Sequence, residues 1–97
     1  MYMKVHHTPE GDIVAICDAV LIGKRLAEGS VQLDLSIHSG FYMGKKVAKR
    51  EAVAILSLAA SANIVGEKSL DAAKSAGFQV SGCRMVCGVP HMQAYRL

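Results

Sequence analysis

The chain has 97 residues, of which 52% are hydrophobic and 20% charged, with a formal net charge of +3. That balance excludes a disordered chain, nine Gly and two Pro exclude collagen-like and low-complexity classes, and the charge is too mild by itself to mark a nucleic-acid protein. The length fits one domain, residues 1–97, whose core is built from Val, Ile and Leu, since thirteen hydrophobic residues are Ala and Trp is absent.

Met1, Met3 and Val5 alternate with Tyr2, Lys4 and His6, the period of a half-buried strand. Thr8-Pro9-Glu10-Gly11-Asp12 is a turn. Ile13–Cys17 is an unbroken apolar run, as in a strand covered on both faces and central in its sheet. Asp18 is placed to cap a single helical turn over Ala19–Ile22, closed by Gly23.

Gly29-Ser30 predicts a two-residue hairpin loop. Leu26 then pairs with Leu33 on a dry face and Arg25 with Asp34 on a wet one. Val31, Leu33, Leu35 and Ile37 continue the dry face. Residues His38–Lys46 read as a loop, and Val47–Ala62 as a helix apolar around most of its circumference. Asn63 is expected as the turn before a second helix, Gly66–Ala76, which Gly77 ends. A strand around Cys83–Cys87, a break at Gly88-Val89-Pro90 and a last strand over His91–Leu97 complete the chain. The expected fold is α+β: a single domain with a mostly antiparallel sheet and two main helices on one face.

The N-terminal segment carries no apolar run of the signal-peptide kind. The longest nearly apolar stretch, Ala52–Val65, is about 14 residues where a bilayer needs roughly 20, so no membrane span is expected. Three Cys are an odd number for a disulfide framework and suit reduced thiols in the cytoplasm.

Several catalytic or cofactor motifs fail on spacing. Gly40-Phe41-Tyr42-Met43-Gly44-Lys45-Lys46 places three residues between its glycines where a phosphate loop needs four, and Lys46 stands where a hydroxyl should meet the metal. Cys83 and Cys87, read on one strand, lie about 13 Å apart, too far for one tetrahedral ion. No nucleophile motif or paired carboxylates can be assigned, so no catalytic, metal-binding or cofactor-binding residue is expected.

Two clusters remain. Lys45, Lys46, Lys49 and Arg50 crowd the start of a helix, the end whose dipole favours anions. With Phe41 and Tyr42 they offer a nucleic-acid contact in which charges meet phosphate and rings stack on bases. The plainer reading is a solvated lysine patch softened by Glu51.

The second cluster lies in segments that carry a resemblance. Ile16-Cys17-Asp18 with Leu21-Ile22-Gly23-Lys24, then Ala62-Asn63-Ile64-Val65-Gly66-Glu67, then Gly88-Val89-Pro90-His91-Met92-Gln93 stand in an order and spacing that resembles a small archaeal family of unknown function, domain of unknown function 424. The resemblance spans essentially the whole chain and implies a cytoplasmic archaeal protein of about this length. It implies no activity, cofactor or catalytic residue, and Cys83 and Cys87 are not part of the pattern. Within these segments Asn63, Gly66, Glu67, His91 and Gln93 form a candidate polar cluster. A set of internal hydrogen bonds that locks the last strand to the helices would use the same residues.

Three readings of function follow. The first is a non-catalytic binding or adaptor module with a protein or ribonucleoprotein partner. The second is an RNA- or ribonucleoprotein-associated factor using residues 41–50. The third is a small enzyme or ligand-binding protein with its site at Asn63, Glu67, His91 and Gln93. A homodimer is compatible with each, and the scarcity of large apolar side chains favours binding at the surface over a deep pocket.

Overall fold

The computed structural model describes residues 1–36 and 39–96, so Ile37, His38 and Leu97, expected in the hairpin, the loop and the last strand, lie outside the described residues. Its organising element is the apolar run Ile13–Cys17. The chain forms β1 (Tyr2–Thr8), β2 (Gly11–Cys17), a 3-10 turn at Ala19–Leu21, β3 (Arg25–Glu28), β4 (Val31–Asp34), α1 (Ser39–Tyr42) and β5 (Lys45–Lys46). It continues through α2 (Lys49–Leu56), β6 (Ser61–Val65), α3 (Glu67–Ser75), β7 (Arg84–Val86) and β8 (Val89–Tyr95).

Six strands make the main sheet in the order β5-β1-β2-β6-β8-β7, antiparallel throughout except for the central pair β2–β6. Alternation of side chains then dictates two cores. On one face Val14, Ile16, Ala62, Ile64 and Ala94 pack against Ala52 and Leu56 of α2 and Ala72 and Ala73 of α3. On the other, Ala15, Cys17, Val65 and Val86 pack against Leu33, Leu35 and Tyr42. The fold is thus α+β with both main helices on one face, and β2 is central and covered on both sides.

The β3–β4 hairpin stands as its own two-stranded sheet over the second face. It has the register read from Gly29-Ser30: Leu26 opposite Leu33 and Arg25 opposite Asp34, with Arg25 Nε 3.1 Å from the Asp34 carboxylate. No helix among the described residues is long and apolar enough to cross a membrane.

The expected helix Val47–Ala62 is shorter, and this is the largest correction. The helix α2 ends at Leu56, and Leu58, expected in its core, is 88% exposed. Residues 61–65 are a sheet strand, so Asn63 sits mid-strand and not in a turn. Ala favours helix locally, and here pairing on both sides, to β2 and β8, outweighs that preference. The helix closes in turns, Leu58 N–H donating to the Ile55 carbonyl and Ala59 N–H to that of Leu56. The Arg96 guanidinium caps this end by donating to the carbonyls of Leu56 at 2.7 Å, Ala59 at 3.0 Å and Ala76 at 3.3 Å, 4.2 Å from the Phe78 ring centre.

Smaller corrections concern the loops and the C-terminal strands. Residues 39–46, expected as loop, contain the single turn α1 and the short edge strand β5. Strand β7 is confined to Arg84–Val86, because Cys87-Gly88 forms a two-residue turn with both residues at positive φ, 50° and 75°. Strand β8 therefore starts at Val89 and includes Pro90. Pro90's backbone faces the β6 side, where its carbonyl accepts from Gly66 N–H at 2.9 Å. Since β6 has already ended at Val65, the missing N–H leaves the ladder intact.

Asp18 also acts elsewhere than expected. It makes no side-chain cap on the turn that follows it. Its carboxylate instead accepts from the N–H groups of Lys68 at 3.1 Å and Ser69 at 2.8 Å and from Ser69 Oγ at 2.7 Å, closing the N-terminus of α3. This needs Gly at position 66, which has φ 106° and where a Cβ would stand 2.3 Å from Asp18 Cγ.

Candidate functional site

In β6, Ala62 and Ile64 take the helix face, which turns Asn63 to the opposite face. The β6–β8 register puts Gln93 directly opposite Asn63, and His91 opposite Val65. Cross-strand neighbours of this kind have Cβ atoms about 4.5–5.5 Å apart. Asn63, His91 and Gln93 therefore form one polar patch on the sheet. It lines an open-sided cleft of about 640 Å³ whose other wall is built from Arg25, Gln32, Asp34, Phe41 and Tyr42. The cleft exists because the β3–β4 hairpin covers the apolar part of this face (Ala15, Cys17, Val65) and stands over the polar part without filling it.

The chemistry of the cleft is mostly neutral. Arg25 and Asp34 offset one another as an ion pair. Burial and the Arg84 guanidinium, which stands opposite His91 on β7, hold the imidazole below its ordinary value, so it is uncharged at neutral pH. Burial, with the neighbouring Cys17, pushes the Tyr42 phenol up to about 12. The Cys17 thiol is likewise raised to about 12 by burial and by Asp18. Both keep their protons, so neither is an activated nucleophile. Among the described residues Asn63 and His91 make no side-chain hydrogen bond, and Gln93 Oε1 receives only a long one, 3.4 Å, from the Tyr95 hydroxyl.

The structure redistributes the residues singled out from sequence. Of the polar cluster, Asn63, His91 and Gln93 come together. Gly66 and Glu67 lie past the end of β6 and line a second cleft, about 310 Å³, with Asp18, Gly88 and Pro90. Within that cleft the helix N-terminus is already occupied by the Asp18 carboxylate. Phe41 and Tyr42 join the first cleft. Phe41 stacks on His6 at 4.3 Å and meets Tyr42 edge-on at 5.2 Å, while Tyr42 is buried. Turn α1 is fixed to β1 by Lys4 Nζ donating to the Gly40 carbonyl at 3.1 Å and by His6 Nε2 at 3.0 Å from the Phe41 carbonyl.

In the basic segment, Lys45 pairs with Glu51 and Lys49 with Asp71, leaving Lys46 and Arg50 without an ion pair among the described residues. Cys17 is buried, whereas Cys87 lies exposed at the β7–β8 turn, its thiol 3.1 Å from the Ala27 carbonyl and its N–H on Glu28. No group of His, Cys, Asp and Glu among the described residues is arranged to hold a metal ion. Sequence reasoning missed Arg25 and Gln32 as cleft residues. The signal was the hairpin itself, residues of whose wet face (Arg25, Gln32, Asp34) line the cleft together with Leu33 and Leu35 of its dry face.

The chain belongs to the family described as protein of unknown function DUF424, whose model matches residues 5–97. It is also similar to the crystal structure of an uncharacterised conserved protein from Methanopyrus kandleri. The identity is 26% and the TM-score 0.83, with 99% of this chain and 90% of that one covered. No curated protein matches.

Proposed function

We propose that this member of the DUF424 family is a binding domain whose cleft, between β6–β8 and the β3–β4 hairpin, captures an uncharged polar group without covalent chemistry. The observation that carries this reading is that Asn63 and His91, diagonal neighbours across the β6–β8 pair, are part-buried in a cleft and free of internal side-chain hydrogen bonds among the described residues. Their polar atoms stay open to solvent, since among the described residues no buried side-chain N or O atom lacks a partner. Here their donors and acceptors are turned toward space large enough for a ligand, since ligand pockets run from about 300 to 1,000 Å³. A neutral imidazole and two carboxamides favour hydrogen bonding over charge pairing, and the protonated Cys17 and Tyr42 support binding over nucleophilic catalysis. The archaeal source of the similar structure supports an archaeal setting, and three free thiols suit a cytoplasmic one.

The test is a fragment screen by NMR on the full chain, reading the side-chain amides of Asn63 and Gln93 and the ring of His91. Uncharged polar fragments are expected to move these signals and to lose that effect in Asn63→Ala. A screen in which no fragment moves them would sink the reading.

A further inference from the structure

Resting on that reading of the cleft, we propose that the group it recognises is a nucleobase, held edge-on by Asn63, Gln93 and His91 and flanked by Phe41. A carboxamide presents a donor and an acceptor side by side, and Asn63 and Gln93 present two such pairs from directly opposite positions on neighbouring strands. Planar heterocycles with adjacent donors and acceptors on one edge are the ligands that match this arrangement, and bidentate pairing of Asn or Gln to a base edge is its usual form. His91, uncharged, adds one donor and one acceptor two residues along β8 from Gln93.

The aromatic component is held in place. The Phe41 ring lines the cleft with His6 stacked at 4.3 Å, and its backbone is tied to β1 through Gly40 and Phe41 carbonyls, so a flat ligand meets a pre-positioned ring. Among the described residues that line the cleft, the charged Arg25 and Asp34 are paired with each other, which disfavours a ligand recognised through its own net charge. At about 640 Å³ the space takes a base with its ribose. The same chemistry arrives either as a free nucleoside or as a base splayed from single-stranded RNA. Lys46 and Arg50, which follow Phe41-Tyr42 in the chain and have no ion pair among the described residues, would meet phosphates only in the second case.

The experiment is a titration of the full-length, isotope-labelled chain with the four ribonucleosides, with methyl glucoside, acetate and inorganic phosphate alongside, followed at the Asn63, Gln93 and His91 side chains. At least one nucleoside is expected to shift all three, with binding weakened about tenfold in Asn63→Ala and in Gln93→Ala. Signals from the helix face, such as Ala72 and Ala73, should stay in place, which also certifies that each variant is folded. If sugar, carboxylate or phosphate moves the three side chains and no nucleoside does, the nucleobase assignment is overturned while the binding cleft stands. If nothing moves them here or in the fragment screen, both fall.

A six-nucleotide single-stranded RNA separates the two sources. Tighter binding than the nucleoside, weakened by salt and by Lys46→Ala/Arg50→Ala, identifies RNA. Equal, salt-insensitive binding identifies the free nucleoside. Either supports base recognition.

Discussion

The two faces of the sheet receive the same alternating strands and end differently. On the helix face the centre of the sheet is apolar, and α2 and α3 bury it, with Ile16, Ile64, Leu56, Ala72 and Ala73 at zero exposure. On the hairpin face β2, β6 and β8 present Ala15 and Cys17, then Asn63 and Val65, then His91 and Gln93. Polar side chains of β6 and β8 interrupt the apolar surface there, and a two-stranded cover replaces two helices. The contrast shows one sheet covered in two ways: two helices close one face, while on the other the hairpin closes a smaller core and leaves Asn63, His91 and Gln93 lining an open-sided cleft.

Perturbations should therefore split by face. The largest loss is expected for Leu56→Ala, which empties a fully buried site under the sheet and should cost about 2–5 kcal/mol in urea unfolding. Gly66→Ala comes next: it forces a Cβ into the Asp18 carboxylate at positive φ, a strain of about 1–3 kcal/mol, together with loss of the α3 cap. Asp18→Ala should recover little of this, since it leaves the buried Ser69 hydroxyl and N–H unsatisfied.

Acid provides a gentler test of the hairpin face. The folded state holds the His91 pKa below its ordinary 6.5 through burial and Arg84, so unfolding takes up a proton in the window just under that value. This contribution to stability is complete above pH 6.5 and is lost as pH falls through the folded-state value. The melting temperature should drop on acidification across that window, and His91→Gln should flatten the dependence. A profile unchanged by His91→Gln would mean the ring is not desolvated as described. The smallest effects are expected for Asn63→Ala and Gln93→Ala. They should change stability by no more than about 0.5 kcal/mol, because neither side chain makes a strong internal bond. A loss approaching that of Leu56→Ala would make them part of the scaffold and erase the division between the faces.

How much of this was legible in the sequence depends on where the determining contact lies. Ile13–Cys17, the Gly29-Ser30 register and the stop at Gly77 are set by residues within a few positions, and all three appear as read. The end of α2 was not legible because the partners of the segment after it are distant: β2 and β8 pair residues 61–65, and Arg96 holds the Leu56 carbonyl from 40 residues downstream. The role of Asp18 was misplaced because its partners at Lys68 and Ser69 lie 50 and 51 residues ahead. The Cys87-Gly88 turn was hidden because Cys rarely occupies positive φ. The candidate site shows the same pattern. His91 and Gln93 share a strand face by simple alternation, but Asn63 joins them only if residues 61–65 are a strand, and Glu67 leaves them for the same reason.

The parallel pair at the centre of the sheet has a kinetic consequence. Hairpins β1–β2 and β7–β8 close over two-residue turns and can form in about 1–10 μs. The β2–β6 ladder instead joins Ile13 to Ser61, so the centre of the sheet waits on a long loop closure that local structure cannot hasten. Refolding should therefore be limited by this central zipper and not by the turns. Ala62→Gly and Ile64→Val in β6 should slow it more than substitutions at Gly29-Ser30. Until the zipper closes, β2, already paired to β1, carries one bare edge, and the interval before β6 arrives is when the chain is most open to pairing with a copy of itself.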